Sequence, residues 1–437
     1  MDRPVAAWFD DLVSDRVGIV RSLTRSSRGA TEPEPPVLYQ AVLAHFDFRK
    51  APIEDRTGGG KGLTDTDARA GAVGEVLERY CGAQPDLRAI RRFAWNERPS
   101  DSIRAEECVL YSDRQYARRD FPYQRWRNDQ VVPWLPAVDL NDGTPVWLPT
   151  SLVYLDYAGN DADTFFCPPT SNGLAAGENL EAAALSALYE LIERDSFLIT
   201  WMNRVPQPEA IAPAAETIET SFIRHYARFG IETRVFRLET DLPVHVMMAV
   251  LLDRSGQGPA ALVGLGCHPD PLLAFRKAIF EAAQTRPGYV RRFADRVTWE
   301  GLRAYRDVRS LHDHSAFFAS TDRLAELDFL LQSTSRVDVT TLPNLGGEST
   351  TDELDRVPAS LRDVGCRVIC ADITTLDLQG YPVRVVRVVA AGLQPIHFGY
   401  GEERLGGRRL FELPMRLGRR AGVADETGLN PCPHPLS

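Results

Sequence analysis

Lysine is almost missing from this sequence. Of 437 residues only Lys50, Lys61 and Lys277 are lysines, so nearly all the positive charge is arginine. There is no polybasic run, and the net charge of −10 argues against a nucleic-acid partner. Nowhere do enough apolar residues run together to span a bilayer, and the opening MDRPVAAWFDDL lacks the apolar region of a signal peptide. A cytoplasmic protein that does not enter the membrane is expected. The seven cysteines (81, 108, 167, 267, 366, 370 and 432) include no CxxC. Cys366 and Cys370 have no second Cys/His pair at zinc spacing, so free thiols in a reducing compartment are expected. Familiar phosphate motifs are absent too. GxxxxGK[ST] fails because Asp55 stands at its first glycine and Gly62 at its Ser/Thr, and there is neither HRD nor DFG.

The composition that remains is ordinary for a globular chain, with 44% hydrophobic and 25% charged residues. Two or three domains, or one large α/β unit with subdomains, fit the length. Residues 171–197, SNGLAAGENLEAAALSALYELIERDSF, carry the densest pattern. A Ser-Asn-Gly turn leads into a helix whose Leu180, Ala184, Leu188 and Leu191 recur at three- and four-residue steps. Glu190, Glu193 and Arg194 then fall within reach of one another. Residues 58–82, GGGKGLTDTDARAGAVGEVLERYCG, repeat the design: a glycine loop, the cap residues Thr64 and Thr66, and a helix bearing Glu75, Glu78 and Arg79 before Gly82. Carboxylates in number suit Mg²⁺, which would neutralise their repulsion. Arginines and Lys61 suit phosphate oxygens.

These two blocks resemble the signature blocks of the YcaO family of ATP-dependent enzymes that activate backbone amides, and the likeness runs from about residue 17 to 407. The resemblance implies a mixed α/β (α+β) fold around an ATP/Mg²⁺ site. Residues 1–57 would form an N-terminal segment, 58–415 the core and 416–437 a tail. It implies nucleotide contacts from Lys61, Glu75, Glu78, Arg79, Ser171, Asn172, Glu178, Glu190, Glu193 and Arg194. Glu281, Gln284 and Arg286 of a third helix match its EaxQxR-type pattern, and Glu75, Glu78, Glu190 and Glu193 would be the metal ligands. Two positions depart from the family: Gly71 replaces a serine and Ala182 a glutamate. Either Glu178 substitutes for the latter, or nucleotide and metal binding is weakened.

Elsewhere VGIVRSL and VLYQAVLAHFDF read as strands, and residues 91–126 as a charged, aromatic surface excursion. WLPAVDLNDGTPVWLP reads as a hairpin turning at Asn141-Asp142-Gly143. TRVFRL, PVHVMMAVLLD and the run to LGCH read as strands, followed by a helix stopped at Pro287-Gly288. Residues 297–345 show no chemistry. The ending GLNPCPHPLS is a stiff extended tail, with Pro431, Pro433 and Pro435 in PxPxP register. In the azoline-forming branch of the family such a tail enters the active site, which makes the Ser437 carboxylate a candidate base, with His434 a weaker one. The tail is expected to add little core.

The leading expectation is therefore an ATP-dependent cyclodehydratase that turns Cys, Ser or Thr of a ribosomal precursor peptide into azolines. Thioamide or amidine formation, and a non-catalytic scaffold subunit, are the alternatives. No leader-binding module is evident, so the resemblance implies a separate ThiF-like partner and a flavin-dependent dehydrogenase. A homodimer is left open.

Overall fold

The computed structural model describes residues 8–29, 32–44, 56–155, 165–294 and 301–436. Three sheets and a set of helices make a mixed α+β fold. An antiparallel three-stranded sheet joins Val20–Arg25, Val37–Leu43 and Thr57–Gly62 in that order. A five-stranded sheet runs Ala261–His268, His245–Asp253, Ile231–Leu238, Glu209–Ile211 and Arg336–Asp338. A six-stranded sheet runs Arg91–Ala94, Val131–Asp139, Arg367–Asp372, Arg384–Ala391 and Leu174–Gly177, with Pro145–Pro149 folded back onto Val131–Asp139. That last pairing is the expected hairpin, and Gly143 supplies its left-handed turn at φ +73°.

The helix Leu180–Met202 is the axis of the molecule. Phe197 to Met202 are buried on every side, so this end is apolar all round, as an interior helix must be. It packs against the strands Arg384–Ala391 and Leu174–Gly177 and the helix Thr350–Asp363. Asp195, fully buried within it, accepts two hydrogen bonds from Arg409 Nε (2.8 and 3.0 Å) and one from the Gln394 backbone (2.8 Å), so its charge is compensated where water cannot reach.

Four expectations are corrected by the fold. The glycine run is not a loop but the edge strand Thr57–Gly62. The third helix does not stop at Pro287; it runs Pro271–Ala294 with Pro287 inside it. The aromatic excursion is interior: Phe93, Tyr111, Tyr123 and Trp126 pack with Trp134 into a core of their own, because rings stack better on one another than in water. The tail is also interior. Cys432 and Leu436 join the main core, and the Cys432, His434 and Pro435 carbonyls accept from Trp201 Nε1 (2.9 Å), His314 Nδ1 (2.8 Å) and Ser315 Oγ (3.1 Å). Three prolines leave few backbone donors, and the surrounding side chains satisfy the carbonyls instead. All seven cysteines are free thiols, as expected, and six of them are buried.

Candidate active site

Three strand-then-helix units converge on one cleft of about 750 Å³. Thr57–Gly62 precedes the helix Asp65–Gly82, Leu174–Gly177 precedes Leu180–Met202, and Ala261–His268 precedes Pro271–Ala294. In the first and third units the helix lies so close to its strand that only glycine fits. A Cβ on Gly60 would fall 1.8 Å from the Ala68 carbonyl oxygen, and one on Gly266 would fall 2.2 Å from that of Ala274. The alternate glycines 58, 60 and 62 put their bare faces toward the helix, and the residues between them face the cleft.

The first unit brings Lys61, Glu75, Glu78 and Arg79 to the cleft, the second Glu190 and Arg194, and the third Glu281 and Gln284. Ser171 and Asn172 line it from the turn before Leu174. These charges answer one another. Glu75 accepts from the Gly59 backbone (2.7 Å) and Arg79 (2.9 Å), and Glu78 from the Ala176 backbone (2.9 Å). Lys61 Nζ lies 3.2 Å from Glu281, whose other oxygen is 4.0 Å from Arg194. Burial pushes the Glu78 carboxyl well above its usual value, against the Ala176 hydrogen bond, and Glu190 and Glu75 add to the rise. Glu190 is likewise raised by burial, partly offset by Arg194. Burial would also raise Glu281, but Lys61 and Arg194 outweigh it and hold that carboxylate low. Four carboxylates face five cations in the cleft, because Arg291 and Arg292 of the third helix join Lys61, Arg79 and Arg194.

Glu193 sits just behind the cleft wall, paired with Arg194, and burial raises it to about 7. Glu178 is exposed at the strand–helix junction, and Ala182 is half-buried in the first turn of the helix; neither lines the cleft. Arg286 is buried and tied to Glu32 (3.1 Å) and Asp253 (3.3 Å). Pro431 is exposed, Pro433 and Pro435 are buried, and the tail reaches the cleft through Leu436; Ser437 lies outside the described residues. His434 is enclosed against His314 (ring centroids 3.9 Å apart) and does not line the cleft. Residues 297–345, credited with no chemistry, contribute Leu311 and His312 to the cleft, and Tyr39, Gln40, Ile396 and Phe398 complete its walls. The apolar members carry no functional signature; only proximity reveals them.

Among the described residues no three acidic or histidine side chains converge as a metal cage. Mg²⁺ usually takes one or two carboxylates together with phosphate oxygens and water, so such a cage is not required. The donor set fits: four carboxylates, a lysine, four arginines, and a buried Asn172 Oδ1 without a partner at the cleft wall.

Four carboxylates, four arginines and a lysine from three strand–helix units thus line one cleft of a mixed α+β fold. The chain belongs to the YcaO family: residues 59–394 match the model described as YcaO cyclodehydratase, ATP- and Mg²⁺-binding. ATP and Mg²⁺ are accordingly its cofactors. It is similar to a heterocyclase solved in complex with substrate and cofactor, at 26% identity and TM-score 0.82, over 98% of this chain and 56% of that one. It shares its fold with YcaO from Methanopyrus kandleri, solved with AMPPCP and Mg²⁺, at 21% identity and TM-score 0.62, over 86% of each chain. An uncharacterised protein of Methanothermobacter thermautotrophicus is 26% identical over 80% of this chain and 84% of its own. The chain thus spans little more than half the length of the heterocyclase it matches.

Proposed function

We propose that this protein is an ATP-dependent cyclodehydratase that forms azolines in a ribosomally made precursor peptide. The observation that carries the reading is the tail: its PxPxP segment is docked along the axial helix, and Leu436 just after it lines the charged cleft. This is the placement expected of the azoline-forming branch, and it argues against an external sulfide or amine as nucleophile.

In the proposed reaction the side-chain S–H or O–H of the substrate adds to the preceding amide carbon. The amide oxygen takes the γ-phosphoryl group of ATP and leaves as phosphate, and the nitrogen loses its proton as C=N forms. ADP, phosphate and the azoline are the products. Bound MgATP supplies the phosphoryl group and neutralises charge on it. Lys61, Arg79 and Arg194 would hold phosphate oxygens, and Glu75, Glu78 and Glu190 would hold the cation. Glu193 would orient Arg194 from behind. Leu311, Ile396, Phe398 and Leu436 exclude water on the peptide side, favouring ring closure over hydrolysis. The Ser437 carboxylate, held by the docked tail, is the proposed base.

The partners proposed are a precursor peptide, a leader-binding protein and a flavin-dependent dehydrogenase. A peptide from a neighbouring reading frame, incubated with the chain, MgATP and the leader-binding partner, should lose one water per azoline and release matching ADP. ADP release without mass loss, or a gain of sulfur, would overturn the assignment. Full processing at the same rate without the partner would remove the partner requirement.

A further inference from the structure

Beneath the cleft lies a second, smaller cavity of about 70 Å³, room for a few waters or one small ion. It shares Thr170 and Asn172 with the cleft, and its only charged lining residues are Arg387 and Arg404. Both guanidinium groups are buried, at 3% and 4% exposure, and neither pairs with a carboxylate among the described residues. Arg387 spends three donors on the carbonyls of Val153, Asn172 and Thr170. Arg404 lies over the Tyr111 ring, and its Nε has no acceptor. Arginine cannot shed its proton, and although Glu190 attracts Arg387 from a distance, two buried cations with no ion-paired carboxylate among the described residues favour an anion between them.

The cavity also holds acceptors in need of a donor. Gln394 Oε1 and Asn172 Oδ1 are buried without partners, although Gln394 Nε2 is anchored on the Arg404 carbonyl at 2.9 Å. A bare anion would satisfy the arginines and leave these oxygens orphaned. We propose that the cavity binds a protonated oxyanion, namely inorganic phosphate. Its charged oxygens face Arg387 and Arg404, and its hydroxyl donates to Gln394 Oε1. Sulfate at neutral pH has the same charge and shape but no proton to give. Losing that one hydrogen bond to a buried acceptor should weaken binding by about tenfold or more.

The inference rests on the cavity and not on the reaction proposed above. The test is calorimetric titration of inorganic phosphate into the full chain with its cleft already saturated by AMPPCP and Mg²⁺. One equivalent of phosphate should bind, and sulfate at least about tenfold more weakly. Arg404→Met should abolish the binding and Arg404→Lys should keep part of it, with AMPPCP affinity unchanged in both. Gln394→Met, which preserves volume, should bind phosphate and sulfate alike, and decides the matter if Arg404→Met does not fold. Glucose 1-phosphate, whose sugar exceeds a cavity of about 70 Å³, should not bind, and its binding there would overturn the assignment. No phosphate binding beside AMPPCP, equal binding of sulfate by the unaltered protein, or undiminished binding in Arg404→Met would each overturn the proposal.

Discussion

Replacing Gly60 by alanine adds one methyl group at the tightest strand–helix contact. Its Cβ would stand 1.8 Å from the Ala68 carbonyl oxygen and 2.3 Å from the Ala72 nitrogen, both backbone atoms that no rotamer can move aside. Ordinary contact begins near 3.4 Å, so strand and helix must part by well over an ångström. Overpacking typically costs about 1–3 kcal/mol, and a rigid backbone obstacle puts this change at or above the upper end. The displacement separates Lys61, on the strand, from Glu75, Glu78 and Arg79, on the helix. A shift of about 1 Å in catalytic geometry can cost about 100-fold in rate. Peptide-dependent ATP turnover in Gly60→Ala should therefore fall by about that factor, with a lowered unfolding midpoint. Gly71→Ser is the matched control: its Cβ would meet Gly60 Cα at 3.4 Å and Lys61 N at 3.8 Å, an unstrained fit that also restores the residue usual in the family. Near-normal turnover and stability in Gly60→Ala, or equal damage from Gly71→Ser, would refute the reasoning.

Glu190→Gln, at the cleft wall, should abolish ATP turnover without unfolding the protein, whereas Glu193→Gln, one layer back, should leave a measurable residual rate; a comparison at limiting Mg²⁺ checks the order. Deleting residues 431–437 should lower the unfolding midpoint as well as stop azoline formation, because it strips acceptors from Trp201, His314 and Ser315 and removes Leu436 from the core. Adding one residue after Ser437 should spare stability and lose only azoline formation, which mass spectrometry and a thermal melt resolve together. Burial lowers His314 from 6.5 to about 4, so between those values the unfolded chain binds the extra proton. The stability it contributes is complete above pH 6.5 and is lost as pH falls toward 4; His314→Asn should flatten that part of the stability–pH curve.

Much of the site was legible in the residues. The acid pairs Glu75/Glu78 and Glu190 with its neighbours lie on helices whose three- and four-residue spacing predicts their grouping, whereas Glu281 and Gln284 came from the family resemblance alone. The Asn-Asp-Gly turn and its flanking alternation specified the hairpin, since such turns depend on local backbone sterics alone. Even the glycine run carried an unread signal: glycines 58, 60 and 62 repeat every second residue, the period of a strand with one face against a close neighbour.

What stayed hidden depends on which surfaces meet. Glu190 and Glu193 have the same residue type and the same helix, yet one lines the cleft and the other backs it, and helical periodicity cannot rank faces on a helix buried on nearly every side. Arg286 carries the family pattern but is tied to Glu32 and Asp253, partners far away in the chain. The aromatic segment looked like surface because its charges are local while its rings find one another only in the folded state. The tail was expected to enter the site but add little core, because its prolines exclude regular structure. Its burial is decided by Trp201, His314 and Ser315, whose side chains supply the hydrogen bonds that a proline-rich backbone cannot make for itself.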